Sequence, residues 1–139
     1  MPVRDIYHEV VKKALIKDGW TVTHDPYILA MDAGERLYVD LGAERILAAE
    51  KGNEKIAVEI KTFASFSPFT DFHQALGQYV SYQLLLEDQD PERKLYLAIP
   101  SERQEWFSEK MLPKKAIQKL QILIFYYNDE TQQIESWKP

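Results

Sequence analysis

Apolar positions recur along this chain with two different periods, and the periods divide it into elements. From Asp5 to Asp18, Ile6, Tyr7, Val10, Val11, Ala14 and Leu15 fall on one stripe at helical spacing. Asp5 is placed to cap that helix and Gly19 to end it. Trp20 to His24 (WTVTH) alternates and is rich in β-branched residues, which predicts a short strand broken by Asp25-Pro26. Leu37 to Glu50 and Lys55 to Thr62 read as two further strands, joined as a hairpin if Gly52 and Asn53 form a two-residue turn. Ser65 to Phe69, with Pro68, reads as a loop. Asp71 to Glu87 is predicted helical, with Phe72, Leu76, Tyr79, Val80 and Leu84 at the right spacing. A turn at Asp90-Pro91 leads to an apolar strand, Leu95 to Ile99, stopped by Pro100. A less regular helical stretch covers Glu102 to Leu112, and a second helix follows Pro113. Gln121 to Tyr127 and Gln133 to Trp137 are strands joined by a turn at Asn128-Asp129. The order α-β-β-β-α-β, then helix and two strands, predicts an α/β fold with a mixed sheet covered by helices. No repeat, low-complexity segment or linker interrupts residues 1–139, so a single domain is expected.

The strand Ala57-Val58-Glu59-Ile60-Lys61-Thr62 carries the chemistry. Side chains two apart on a strand share a face, so Glu59 and Lys61 emerge together while Val58 and Ile60 face a core. A Gly52-Asn53 turn sets the hairpin register. It puts Ile46 opposite Glu59 and Glu44 opposite Lys61, with Asp40, Glu44 and Glu50 on the same face. Leu41, Leu47, Ile56, Val58 and Ile60 take the other face. Several carboxylates around one lysine repel one another unless protons, the lysine or a metal compensate. The blander meaning of the pattern is a solvated salt pair on a polar sheet face open to water.

Composition narrows the field. The chain is 45% hydrophobic and 28% charged, ordinary for a folded protein, and has no cysteine. Disulfides, thiol catalysis and a cysteine zinc site are excluded. No apolar run approaches the roughly 20 residues of a membrane span, and MPVRDIYHEV lacks a signal-peptide core, so a cytoplasmic protein with no membrane association is expected. The net charge of −5 argues against simple coating of nucleic acid. It is compatible with a metal-binding acidic cluster or a basic protein partner. No G-x-S-x-G, HExxH or glycine-rich phosphate loop occurs, and His8, His24 and His73 lack zinc-like clustering. Lys114, Lys115 and Lys119 form a compact basic patch, for which a solvated helix face is a sufficient meaning.

Glu59-Ile60-Lys61-Thr62, after three strands and before a helix, resembles the PD-(D/E)XK nuclease superfamily, whose core is α-β-β-β-α-β. Gln78-Tyr79-Val80-Ser81-Tyr82 matches the QxxxY motif of many members, with Gln74 one turn earlier. Glu9 stands on the first helix, where some junction-resolving members carry a glutamate; a solvated surface position explains it as well. RDIYHEVVKKALIKDGW, LYVDLGAERILAAEKG, IAVEIKTF and FHQALGQY resemble the XisH family, the fdxN-element excision controlling factors of cyanobacteria. The resemblance implies a restriction-endonuclease-like sheet flanked by helices, with a C-terminal hairpin added to the core. It further implies a role beside a site-specific recombinase and a small XisI-like partner during excision of a DNA element. It assigns Glu59, Lys61, Gln78 and Glu9 to catalysis, and Glu59 with Glu44 or Asp40 to Mg²⁺ or Mn²⁺.

One departure stands out. The superfamily's usual spacing puts Ile46 where its aspartate belongs. Asp40 has the expected V-D-L context, yet lies six rungs from Glu59's partner, about 20 Å along a regular strand. A bulge or bend near Gly42 would be needed to bring it in. Glu44, diagonal to Glu59 and opposite Lys61, is better placed. Three readings therefore stand: a metal-dependent nuclease, an inactive nuclease-fold accessory protein that binds a partner, and the nucleolytic half of a two-protein complex restrained by its partner.

Overall fold

A computed structural model describes residues 3–30, 36–37 and 46–138, and the statements that follow concern those residues. Helix α1 (Val3–Lys17) begins two residues before Asp5, so Asp5 lies inside the helix and does not cap it. The end is closed as the sequence requires. Gly19 takes φ +94°, its N–H donates to Ile16 O (3.0 Å), and Trp20 N–H donates to Leu15 O (2.9 Å). This pair of bonds satisfies the last carbonyls of the helix and turns the chain into the sheet.

Eight strands follow: β1 (Thr21–His24), β2 (Leu29–Ala30), β3 (Arg36–Leu37), β4 (Ile46–Lys51), β5 (Glu54–Ile60), β6 (Arg93–Pro100), β7 (Leu123–Asn128) and β8 (Gln133–Lys138). Six form one sheet in the order β1-β4-β5-β6-β7-β8, and β2 pairs β3 separately. The β5–β6 and β6–β7 pairs are parallel; the other pairs are antiparallel. The architecture is the expected mixed α/β sheet flanked by helices. In the hairpin, Lys51 pairs with Glu54 and Ile46 with Glu59, so the register read from the Gly52-Asn53 turn holds. Gly52 takes φ +61°, which glycine supplies readily at the first position of a two-residue turn.

The parallel β5–β6 connection requires a crossover, supplied by α2 (Pro68–Gln89). This helix starts earlier than Asp71 because Ser67 accepts from Thr70 N–H (3.3 Å) and Pro68 suits the first turn. A short 3₁₀ turn (Ser101–Arg103), α3 (Gln104–Glu109) and α4 (Met111–Leu120) link β6 to β7. Pro113 sits within the first turn of α4, where no internal N–H bond is lost, and the helix does not wait for it.

One face of the sheet packs Leu47, Ala49, Ile56, Val58, Ile60, Ala98 and Phe125 against Val10, Val11 and Leu15 of α1. The other packs Ala57, Leu95, Leu97, Ile99 and Ile124 against α2. The buried line on α2 is Phe72, Ala75, Tyr79, Tyr82 and Leu86, and Val80 and Leu84 are 40% and 60% exposed. The expected stripe is thus rotated. A small alanine lets the helix approach the sheet and two tyrosines fill the gap beside it, so residue size outweighed hydropathy. Ile6, expected in the core, is 49% exposed on α1. Among the described residues no helix is long and apolar enough to cross a membrane.

Candidate functional site

Strand alternation turns Val58 and Ile60 toward α1 and leaves Glu59 under α2. The face bearing Glu59 is therefore not open to water: Glu59 is 0% and Lys61 8% exposed. In the backbone register Glu59 lies between Ile46 of β4 and Leu97 of β6, near the middle of the sheet. Lys61 N–H donates to Ala98 O (3.0 Å), which carries the extended backbone one step past β5. Lys61 thereby keeps the face of Glu59, and its Nζ lies 3.5 Å from Glu59 Oε2. The same Nζ donates to Gln78 Oε1 of α2. A buried carboxylate, an ammonium and an amide from two elements thus meet at one point.

The connection that sets this geometry is strained locally. Phe63 takes φ +54°, a region a bulky side chain rarely adopts. Its ring is buried against Phe107 (4.9 Å between centroids) and Trp106 (6.3 Å), and this packing holds the turn. Asp71 then fastens the loop, accepting from Ser65 N–H (3.3 Å) and Ser65 Oγ (2.8 Å). Between turn and helix opens a cleft of about 130 Å³ lined by Lys61, Thr62, Ser65, Asp71 and Gln74. Lys61 is the residue that joins the buried pair to this opening.

Tyr79, next to Gln78, braces the arrangement. Its hydroxyl donates to Leu95 O (3.0 Å) and accepts from Leu123 N–H (3.3 Å), tying α2 to β6 and to the start of β7. Burial pushes its phenol pKa up; the Leu123 amide opposes this, and the negative charge of Glu59 adds to it. Sequence periodicity placed Tyr79 in the core but gave no sign of which backbone groups its hydroxyl would reach.

Of the residues singled out from sequence, Glu59, Lys61 and Gln78 come together. Glu9 does not join them: it lies on α1, across the sheet, with its carboxylate 4.0 Å from Lys12 and largely exposed. Asp40 and Glu44 lie outside the described residues, as do residues 38–45 of the strand expected over 37–50. Two polar clusters went unread in the sequence. His8 Nε2 and Lys12 Nζ meet the Asp25 carboxylate at 2.8 and 2.9 Å. Burial raises the Asp25 pKa, but hydrogen bonds from Lys12 and His8 outweigh it and hold the carboxyl below its usual value. At the far end of the α2 face, Arg93 is 5% exposed and bonds Asp90 and Ile56 O. The tertiary fold brings Asp25 to His8 and Lys12 and brings Ile56 O to Arg93; the Asp90–Arg93 contact alone is local in the chain.

The class so defined is a mixed α/β domain whose sheet carries a buried Glu-x-Lys pair beneath a crossover helix that supplies a glutamine. A family model of XisH proteins matches residues 1–135, and the chain belongs to the XisH family. It is 39% identical to an XisH family protein from Nostoc punctiforme PCC 73102, with a TM-score of 0.87 over 97% of this chain and 100% of that one. It is also 39% identical to a fdxN element excision controlling factor protein from Anabaena variabilis, with a TM-score of 0.85 over 96% of this chain and 98% of that one. No functionally curated protein matches it.

Proposed function

We propose that this protein helps control excision of a DNA element and does so as a metal-dependent phosphodiesterase of the PD-(D/E)XK type. The observation that carries this reading is the meeting of Glu59, Lys61 and Gln78, with Lys61 lining an open cleft. A buried charged pair at the mouth of a cleft costs stability that an apolar pair would not, and such costs concentrate at functional sites.

Carboxylate oxygens are the hard donors that Mg²⁺ or Mn²⁺ takes, so Glu59 fits such an ion in kind. The described residues contain no group of three or more His, Cys, Asp or Glu able to hold a metal, and Glu44 or Asp40 would complete the donor set. A divalent ion held there supplies Lewis-acid polarisation of a phosphate and lowers the pKa of water. The chain's own groups do the rest. Lys61 offsets negative charge gathering on the phosphate, and Gln78 fixes the direction of its ammonium. Thr62 and Ser65 line the same cleft, with the Ser65 hydroxyl donating to Asp71.

The test pairs binding with chemistry. Mg²⁺ or Mn²⁺ should raise the melting temperature of the wild type, as a ligand of the native state must. Glu59→Gln should abolish that rise, and both Glu59→Gln and Lys61→Ala should abolish cleavage while remaining folded. Plasmid, branched DNA and RNA serve as substrates. No melting shift and no cleavage by the wild type would overturn the nuclease reading.

A second reading has its own support. Ile46 at the usual aspartate spacing and the net charge of −5 favour an accessory protein that keeps the fold and binds an XisI-like partner beside a recombinase on DNA. Pull-down of the tagged protein from its native cells should then recover the XisI-like protein. Its absence under gentle salt would count against that reading.

A further inference from the structure

Charge is unevenly distributed along this acidic chain. Between Glu109 and Asp129 there is no Asp or Glu, while Lys110, Lys114, Lys115 and Lys119 all fall there. The fold turns this segment into one wall of a groove of about 720 Å³ at the β8 edge of the sheet. Ile117 of α4 and Leu123 of β7, both half-buried, give its accessible apolar lining, and the buried Phe107, Ile124 and Tyr126 lie beneath as its floor. Its charged lining residues are Lys114 and Lys138, with no carboxylate among them. Lys138 is placed there by its register with Ile124 across the β7–β8 pair. Just outside, Met111, Leu112 and Leu120 are 80%, 45% and 51% exposed.

An apolar trough with a basic rim selects its occupant by both properties. A nucleic-acid backbone would use the lysines but leave the apolar trough unfilled. A neutral apolar peptide would fill the trough but gain nothing from the rim. We infer that the groove between α4 and the β7–β8 edge docks an acidic amphipathic helix of a partner protein. Its apolar stripe would lie on Ile117 and Leu123, the half-buried apolar residues of the lining, and its carboxylates would face Lys114 and Lys138. Helix-in-groove recognition works through such a stripe, and complementary charge adds orientation and speed of encounter. The surface does not depend on metal chemistry at Glu59, so the two readings fail separately.

The probe is a set of three synthetic helices of about 16 residues sharing one leucine stripe, with Glu, Gln or Lys at the other positions. Each is titrated into the full chain and followed by amide chemical shifts. The Glu helix should shift residues of α3, α4, β7 and β8 and bind at least about tenfold more tightly than the Gln helix, with the Lys helix weaker still. The exposed double substitution Lys114→Glu/Lys138→Glu should reverse that ranking, with the melting temperature and the remaining amide shifts showing an intact fold. Equal binding of all three helices, or binding of the Glu helix untouched by the double substitution, would overturn the inference. So would short duplex DNA shifting the same residues more strongly, or self-association that the double substitution abolishes.

Discussion

Under α1 the sheet presents Leu47, Ala49, Ile56, Val58, Ile60 and Phe125, and the helix answers with Val10, Val11 and Leu15. Under α2 the sheet presents Ala57, Leu95, Leu97 and Ile124, but in their midst also Glu59, with Lys61 one step beyond. Both faces are closed by a helix, so burial alone does not demand a charged pair: the α1 face seals the same strand with aliphatic and aromatic side chains. The α2 face holds a carboxylate where a leucine would be cheaper, and it supplies an ammonium and an amide to keep it there. The contrast marks Glu59 as a charged residue that closing the face does not by itself require. It also separates the energetics: the α1 face is held by volume, the α2 face by volume and compensated charge.

The largest effect is expected where volume is removed. Phe125 is fully buried, with Trp137 at 4.7 Å and Tyr96 at 6.3 Å between ring centroids. Phe125→Ala should cost about 3–5 kcal/mol in urea unfolding, because the rings around it cannot collapse into the space. A loss below about 1 kcal/mol would show that this face is loosely packed. On the α2 side the comparable test removes charge at near-constant volume. Lys61→Met should cost about 3 kcal/mol, since the Glu59 carboxylate then loses the ammonium beside it. Glu59→Met/Lys61→Met should recover most of that loss while remaining inactive in the cleavage assay. If Lys61→Met alone proves neutral, the pair is not what compensates Glu59.

A pair of tyrosines sharpens the same contrast with smaller changes. Tyr79 on the α2 face makes two backbone hydrogen bonds through its hydroxyl. Tyr127 is fully buried on the α1 face, its pKa is pushed up by burial, and its hydroxyl finds no hydrogen-bond partner among the described residues. Tyr79→Phe should therefore cost about 1–2 kcal/mol, leaving the Leu123 amide and Leu95 carbonyl without the group they share. Tyr127→Phe should be neutral or stabilising by up to about 1 kcal/mol, since it removes a buried donor that gains nothing. Urea midpoints of the two variants, measured side by side, decide the matter. Equal losses would mean that both faces use their hydroxyls alike.

What the sequence made legible follows the same division. The Gly52-Asn53 turn fixed the β4–β5 register, and the register fixed which side chains share a face, because strand alternation leaves no freedom once one pair is known. Gln78 was legible as a motif residue, and its position on the crossover helix brought it to Lys61. The covering of the Glu59 face was not legible. Glu59 and Lys61 give a strand the look of an amphipathic, water-facing edge, and only the crossover that returns α2 over β5 reveals them as buried. Val80 and Leu84 misled for the related reason that hydropathy ranks them above Ala75 and Tyr82, whereas packing chose by shape. Clusters built from distant segments, such as Asp25 with His8 and Lys12, leave no local pattern to read.

The two ends of the α2 face supply the last and smallest comparison, because each holds a buried cation. At the end opposite Lys61, Arg93 donates through Nε to Asp90 Oδ2 (2.8 Å) and through Nη1 to Ile56 O (3.0 Å), with Glu50 at 3.8 Å. Tyr27 lies under the guanidinium at 5.0 Å, and its hydroxyl donates to the same Asp90 oxygen (3.1 Å). The Arg93 hydrogen bond holds the Asp90 carboxyl below its ordinary value of 3.8; burial opposes this, while the Tyr27 hydrogen bond and the Arg93 charge reinforce it. A carboxyl whose pKa is lower in the folded than in the unfolded chain contributes stability above the unfolded value and loses it as pH falls through the folded one. Asp90→Asn should accordingly cost about 1 kcal/mol at pH 7, an amide being a weaker acceptor than a carboxylate. The gap between variant and wild type should hold down to about pH 4 and shrink below it, as Asp90 protonates in the unfolded chain while the folded carboxyl is still charged, until pH has passed the folded value. Urea midpoints of both proteins taken from pH 7 down to pH 2 read this directly. A gap that stays constant across that range would mean that Arg93 is held by Ile56 O and Tyr27 alone, and that this end of the face is structural packing with no ionic contribution.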